Sequence, residues 1–153
     1  MQRKEKNWFL RRRLLMKYVS IPLKEYQIEP SFSMCTDCVL FSEDYLCLYA
    51  ADAALIDTGA TRTSVSMDII SQLGVSPKRQ ELIEIGNKLH DVDVYAIKIM
   101  LSPELVFDLD VYGLPGEGKG AVIIGMDIIG VGKLTIEPSK GKRHKGELLF
   151  PTP

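Results

Sequence analysis

The 153-residue chain has no uninterrupted apolar run near the ~20 residues that a membrane helix needs, so no such membrane span is expected. It has little net charge, −1, so the whole does not advertise nucleic acid or an anionic membrane as a partner. Three cysteines and two histidines leave little for a metal centre. Cys35-Thr-Asp-Cys38 has the spacing of half a zinc site, but a structural site wants four ligands, and only Cys47, His90 and His144 remain. No metal and no cofactor are therefore expected, and the thiols suit a reducing, cytoplasmic setting. What is present is ordinary for a folded domain: 46% apolar and 25% charged residues.

The near-neutral total hides an asymmetry. Residues 1–17 carry seven Lys/Arg against one Glu, so the rest of the chain is acidic. Arg11-Arg12-Arg13 interrupts the apolar residues there, which argues against a signal peptide, and no clean helical stripe forms. Residues 1–16 are read as a basic N-terminal tail and 17–153 as one domain.

Most of that domain reads as short strands rich in β-branched and aromatic residues, at 17–23, 38–41, 45–50, 53–57, 81–85, 91–101, 105–113, 121–125 and 133–137. A phase slip in Val92–Ile99 suggests a bulge. One convincing helix follows Ser66, which can cap it, with Asp68 in its first turn and Gly74 as its stop. A single turn at 126–129 is a possible second, and the basic stretch 138–147 reads as a solvated turn. Nine short strands with one short helix make an all-β barrel or sandwich.

The stretch ALIDTGATRTS, residues 54–64, drives an apolar strand straight into a carboxylate, Asp57. An Asp-x-Gly often forms an Asx turn, in which the carboxylate binds the amide two residues on. Here, however, Leu55-Ile56 precede Asp57-Thr58-Gly59-Ala60, and Ile123-Ile124-Gly125 follows 68 residues later, leading into Met126-Asp127-Ile128-Ile129. Over residues 45–137 this combination resembles the retroviral-type (retropepsin-like) aspartic proteases, and in particular their single-domain cellular and prokaryotic relatives.

The resemblance implies a closed all-β barrel with one short helix and an active site at a homodimer interface. It makes Asp57 the catalytic acid, Thr58, Gly59 and Ala60 its loop, and Ile123, Ile124 and Gly125 the support beneath. It places a flap between the two motifs, where Ile85, Gly86 and Asn87 form the tip of ELIEIGNKLHDVDVY. Two carboxylates about 3 Å apart cannot both ionise, so one stays protonated while the other draws a proton from water. A chain with one Asp-Thr-Gly obtains the second carboxylate from a symmetry mate. The alternative of pairing Asp57 with Asp127 is weaker, since Asp127 falls in the short helix. The implied function is an aspartic endopeptidase acting on peptide or protein held in extended form. A peptide-binding or dimerisation module without activity is the alternative. Two departures stand out: viral members commonly have Arg where Met126 stands, and their flap is richer in glycine. Asp91/Asp93, Asp108/Asp110 and His90 read as surface groups.

Overall fold

Alternating apolar residues build most of the fold, and a computed structural model describes residues 17–28, 31–115, 121–138 and 143–152. Among these are ten strands and two short helices. The strands are β1 Lys17–Ile28, β2 Ser31–Phe41, β3 Leu48–Ile56, β4 Ser64–Ser66, β5 Arg79–Ile85, β6 Lys88–Ser102, β7 Leu105–Leu114, β8 Val122–Ile124, β9 Lys133–Pro138 and β10 His144–Thr152. The helices are α1 Met67–Leu73 and α2 Met126–Ile129. The basic tail, residues 1–16, lies outside the described residues.

The strands form a sheet in the order β5-β6-β7-β4-β8-β3-β2-β1-β10-β9. Val39, Leu40 and Phe41 of β2 also pair with Met100, Ile99 and Lys98 of β6, so the ladder from β6 through to β2 returns on itself. Two of the pairings are parallel, β3 with β8 and β4 with β7. The buried apolar residues form one core cluster, drawn from the strands of this ring, from β1 and β10 and from both helices. Leu40, Val94, Ile99, Val111, Ile124, Ile128 and Leu148 are wholly buried, each contributing about 1.5–3 kcal/mol.

The mostly-β reading and the α1 boundaries agree with the sequence. The Ser66 hydroxyl accepts the Ile69 N–H at 3.4 Å, Gly74 takes φ 65°, and Ile69, Ile70 and Leu73 are buried. Other expectations need correction. The segments 45–50 and 53–57 are one strand, β3, which starts only at Leu48. Residues 42–47 instead form a turn: Ser42 Oγ donates to Asp44 Oδ1 at 2.6 Å, and the Ser42 N–H donates to the Cys47 carbonyl at 3.0 Å. The irregularity in β6 lies between Met100 and Ser102, not within 92–99. Val94 and Tyr95 are both buried because β6 is covered on both faces, Tyr95 lying against Met67 and Gly113. Beyond 143 the supposed solvated turn becomes β10, whose Leu148 and Phe150 enter the core, while residues 139–142 are outside the described set. The single-turn helix α2 is the second helix.

Candidate functional site

The parallel pairing of Leu55 with Ile123 and Ile56 with Ile124 carries both motifs out of the sheet side by side. Backbone bonds then stitch the two loops together. Asp57 N–H donates to the Ile124 carbonyl at 2.9 Å, and Met126 N–H to the Ala60 carbonyl at 2.8 Å. Gly125 is buried between them, and a Cβ on it would lie 2.7–2.9 Å from backbone atoms of Arg62 and Ala60. Only glycine allows that approach.

The strongest stitch comes from Thr63, which is fully buried. Its hydroxyl donates to Asp127 Oδ1 at 2.7 Å and accepts the Gly125 N–H at 3.1 Å. Its own N–H donates to Asp127 Oδ2 at 2.9 Å. Both carboxylate oxygens of Asp127 are thus engaged, and Oδ1 also takes the Ile128 N–H at 3.0 Å. Asp127 sits in α2 as the sequence suggests and works as a structural acceptor.

Asp57, Thr58 and Gly59 stand exposed at the end of β3. Asp57 Oδ1 accepts the Gly59 N–H at 2.8 Å, the Asx-turn contact, and the Ala60 N–H closes the turn on the Asp57 carbonyl at 3.2 Å. Among the described residues no other side-chain hydrogen bond holds the Asp57 carboxylate, and the residue is exposed. A cleft of about 380 Å³ lies over this loop. Its floor includes Asp57, Gly59, Ala60 and Ile123, and its far wall is made by Ile83, Glu84 and Ile85 of β5.

That wall belongs to a hairpin. β5 and β6 join through Gly86 and Asn87, with φ 57° and 63°, in register Ile85↔Lys88. Two successive positive φ values give the tight, strand-twisting turn that short hairpins favour. The structure therefore brings the Asp57 loop, Ile123 and Ile85 to one cleft, with Gly86 and Asn87 at the tip beside it. Ile124 and Gly125 are buried beneath.

Several residues at the cleft were not singled out from the sequence. Arg62, half-buried, places Nη1 2.6 Å from Glu81 Oε2, and its guanidinium lies 4.8 Å from the centre of the Tyr112 ring. Thr63 and Asp127 were likewise missed as a pair, because 64 residues separate them. The other motifs are peripheral. Asp108 and Asp110 of β7 form ion pairs, with Lys98 and with Lys78 and Arg79 respectively. His90 and Asp91 are exposed. Cys35 and Cys38 are buried in β2 and Cys47 is exposed, with no disulfide among them. Burial pushes the Cys38 thiol up to about 12.

No family model matches the chain, and no curated protein does. Among solved structures, the chain is similar to a retropepsin-like aspartic protease from Rickettsia conorii. The TM-score is 0.54 and the identity 11%, over 90% of this chain and 96% of that one. At that identity the likeness is one of fold.

Proposed function

We propose that the protein is an aspartic endopeptidase of retropepsin type, a closed β-barrel that works as a homodimer with Asp57 of each subunit forming one catalytic dyad. The reading rests chiefly on one observation: an exposed Asp57, held by its own turn, faces a cleft walled by a hairpin tip. In support, Asp127 is occupied by Thr63, so Asp57 finds no second acid there. Glu84 also lines the cleft, from the exposed end of β5, and the reading assigns the second acid to a second copy of Asp57 rather than to Glu84.

In the dimer one Asp57 carboxylate is ionised and takes a proton from a water as its oxygen attacks the scissile carbonyl. The other, protonated, gives its proton to the carbonyl oxygen as it becomes tetrahedral. The first carboxyl then passes the proton it took from water to the nitrogen as the C–N bond breaks, and the second recovers a proton from the diol, which leaves as the new carboxylic acid. The Asp57–Gly59 turn fixes the carboxylate plane; Thr58 is assigned to the contact with the partner's loop. The substrate lies extended between floor and hairpin, where its backbone can add as a strand, and closure of Ile85–Asn87 excludes water. The 17–153 segment is the catalytic domain and 1–16 an appended basic tail.

The Asx-turn bond supports a second reading, a peptide-binding or dimerisation module without chemistry, because that bond needs no catalytic role. The test is cleavage of a diverse peptide mixture between about pH 4 and 7, read by mass spectrometry for wild type and Asp57→Asn. Cuts made by wild type and lowered at least about 10²–10⁴-fold in the variant support the peptidase. A folded, dimeric wild type that cuts nothing moves the assignment to the binding module. Cuts that survive the substitution remove Asp57 from the chemistry.

A further inference from the structure

The β5–β6 hairpin projects as a two-stranded ribbon. β5 pairs with β6 alone, and β7 takes up β6 only from Val94 onward. Two-stranded ribbons are marginal on their own, so something must set its angle over the cleft. From residues 82 to 91, no side-chain hydrogen bond or ion pair reaches the rest of the described chain. The anchors all lie at the root. Lys78 and Arg79 hold Asp110 of β7 at 3.1 and 2.9 Å, and Lys78 N–H donates to the Val94 carbonyl at 2.7 Å.

Among the described residues, one side-chain ion pair runs from the root to the Asp57 loop: Arg62 to Glu81, at 2.6 Å. Arg62 is five residues past Asp57 and next to Thr63, the buried stitch, so its backbone is fixed relative to the carboxylate. Its guanidinium is further located by the Tyr112 ring, and the Tyr112 N–H donates to the Thr63 carbonyl at 3.1 Å. Glu81 shares a strand face with Ile83 and Ile85, the residues that wall the cleft. The pair is 28% and 31% exposed, so it is partly shielded from solvent.

We propose that the Arg62–Glu81 pair is the clasp that sets the hairpin over Asp57, which makes Arg62 and Glu81 positioning residues for whatever extended chain the cleft receives. The ribbon hinges just beyond Glu81: the root stays with the catalytic loop while Ile83, Ile85 and the Gly86-Asn87 tip swing. In its use of a substrate this rests on the peptidase reading; in its mechanics it does not.

The test is hydrogen exchange on the full chain, resolved to residues 79–93, for Arg62→Gln, Glu81→Gln and the double variant, with Lys98→Gln as a control on a remote ion pair. Each single variant is expected to exchange about three- to tenfold faster in the hairpin, with 94–102 unchanged. Glu81 also lies 3.7 Å from Arg79 on its own strand, so the double variant should match Glu81→Gln, which already removes the Arg62 contact. Unchanged hairpin exchange, additive effects, or equal loosening by Lys98→Gln would overturn the clasp. With a cleaved peptide in hand, the same variants should raise KM more than they lower kcat, and a loosened hairpin with KM unmoved would end the positioning role. If wild type cuts nothing while exchange responds as described, the peptidase reading fails and the clasp stands.

Discussion

Replacing Thr63 with valine removes one oxygen from a site that shape alone would leave intact. Valine fills the same volume, so no cavity opens, and the cost is one of hydrogen bonding. The hydroxyl's bond to the Asp127 carboxylate, at 2.7 Å, is charge-assisted and worth about 1.5–3 kcal/mol. The Gly125 N–H, which gives to the same oxygen at 3.1 Å, is left buried without an acceptor, a loss of about 1 kcal/mol or more. Against this, Asp127 keeps the Thr63 and Ile128 amides at 2.9 and 3.0 Å, and it is part-exposed, so water can replace the lost donor. The first figure therefore belongs near its lower end, and the whole near 2–4 kcal/mol. For a domain of this size that is a fall of roughly 5–15 °C in Tm. Thr63→Ser keeps both bonds and drops one methyl, about 1 kcal/mol. The assay is urea unfolding followed by circular dichroism, with the slope unchanged between variants so that midpoints compare directly. A valine variant as stable as the serine variant would refute the reasoning: the hydroxyl would not be what joins the two loops.

Gly125→Ala should cost about 3 kcal/mol or more, visible as loss of soluble protein or a collapsed melting transition, since its Cβ meets backbone that cannot yield. Asp57→Asn should melt within about 2 °C of wild type, because an exposed amide oxygen can still accept the Gly59 N–H; a larger change would make Asp57 a structural residue. Gly74→Ala should lose about 1 kcal/mol by denaturant titration, from strain at φ 65° rather than from any clash. The hydrogen bond from His144 holds the Glu25 carboxyl below its usual value, so its stabilisation is present above the unfolded pKa and lost as pH falls through the folded one. Asp110, lowered by Arg79 and Lys78, acts in the same sense. Unfolding midpoints measured from pH 7 to 3 should therefore fall less steeply for Glu25→Gln than for wild type.

What was legible in the sequence was whatever depends on neighbours along the chain. The Ser66 cap and Gly74 stop gave α1, Gly86-Asn87 gave the hairpin, and Ala54–Ala60 with Ile123–Gly125 pointed to the two loops the fold brings together. Contacts across the fold were not. Nothing local to Arg62 indicates Glu81, and nothing near Thr63 indicates Asp127. The division of β3 from the turn before it also failed, since Tyr45, Leu46 and Cys47 read as strand while Ser42 and Asp44 close the chain on itself. Tyr45 tolerates φ 61° there, packed edge-on against Phe41 and beside Lys98. β10 was legible but unread: Leu148 and Phe150 alternate as strand residues do, behind a basic stretch that suggested solvent.

The stitching of one loop to another across 64 residues has a kinetic consequence. The hairpin is local in sequence, closed by two turn residues, and can form on the microsecond scale of such units. The floor beneath it requires β8 to find β3, and the β1–β10 pairing joins Lys17 to Thr152. Pairings of that span carry their loop-closure entropy before any contact repays it, which places them late in folding. The hairpin is therefore expected to form before the floor that carries Asp57. A chain caught part-way, or cut between the two loops, would keep its hairpin and lack the site.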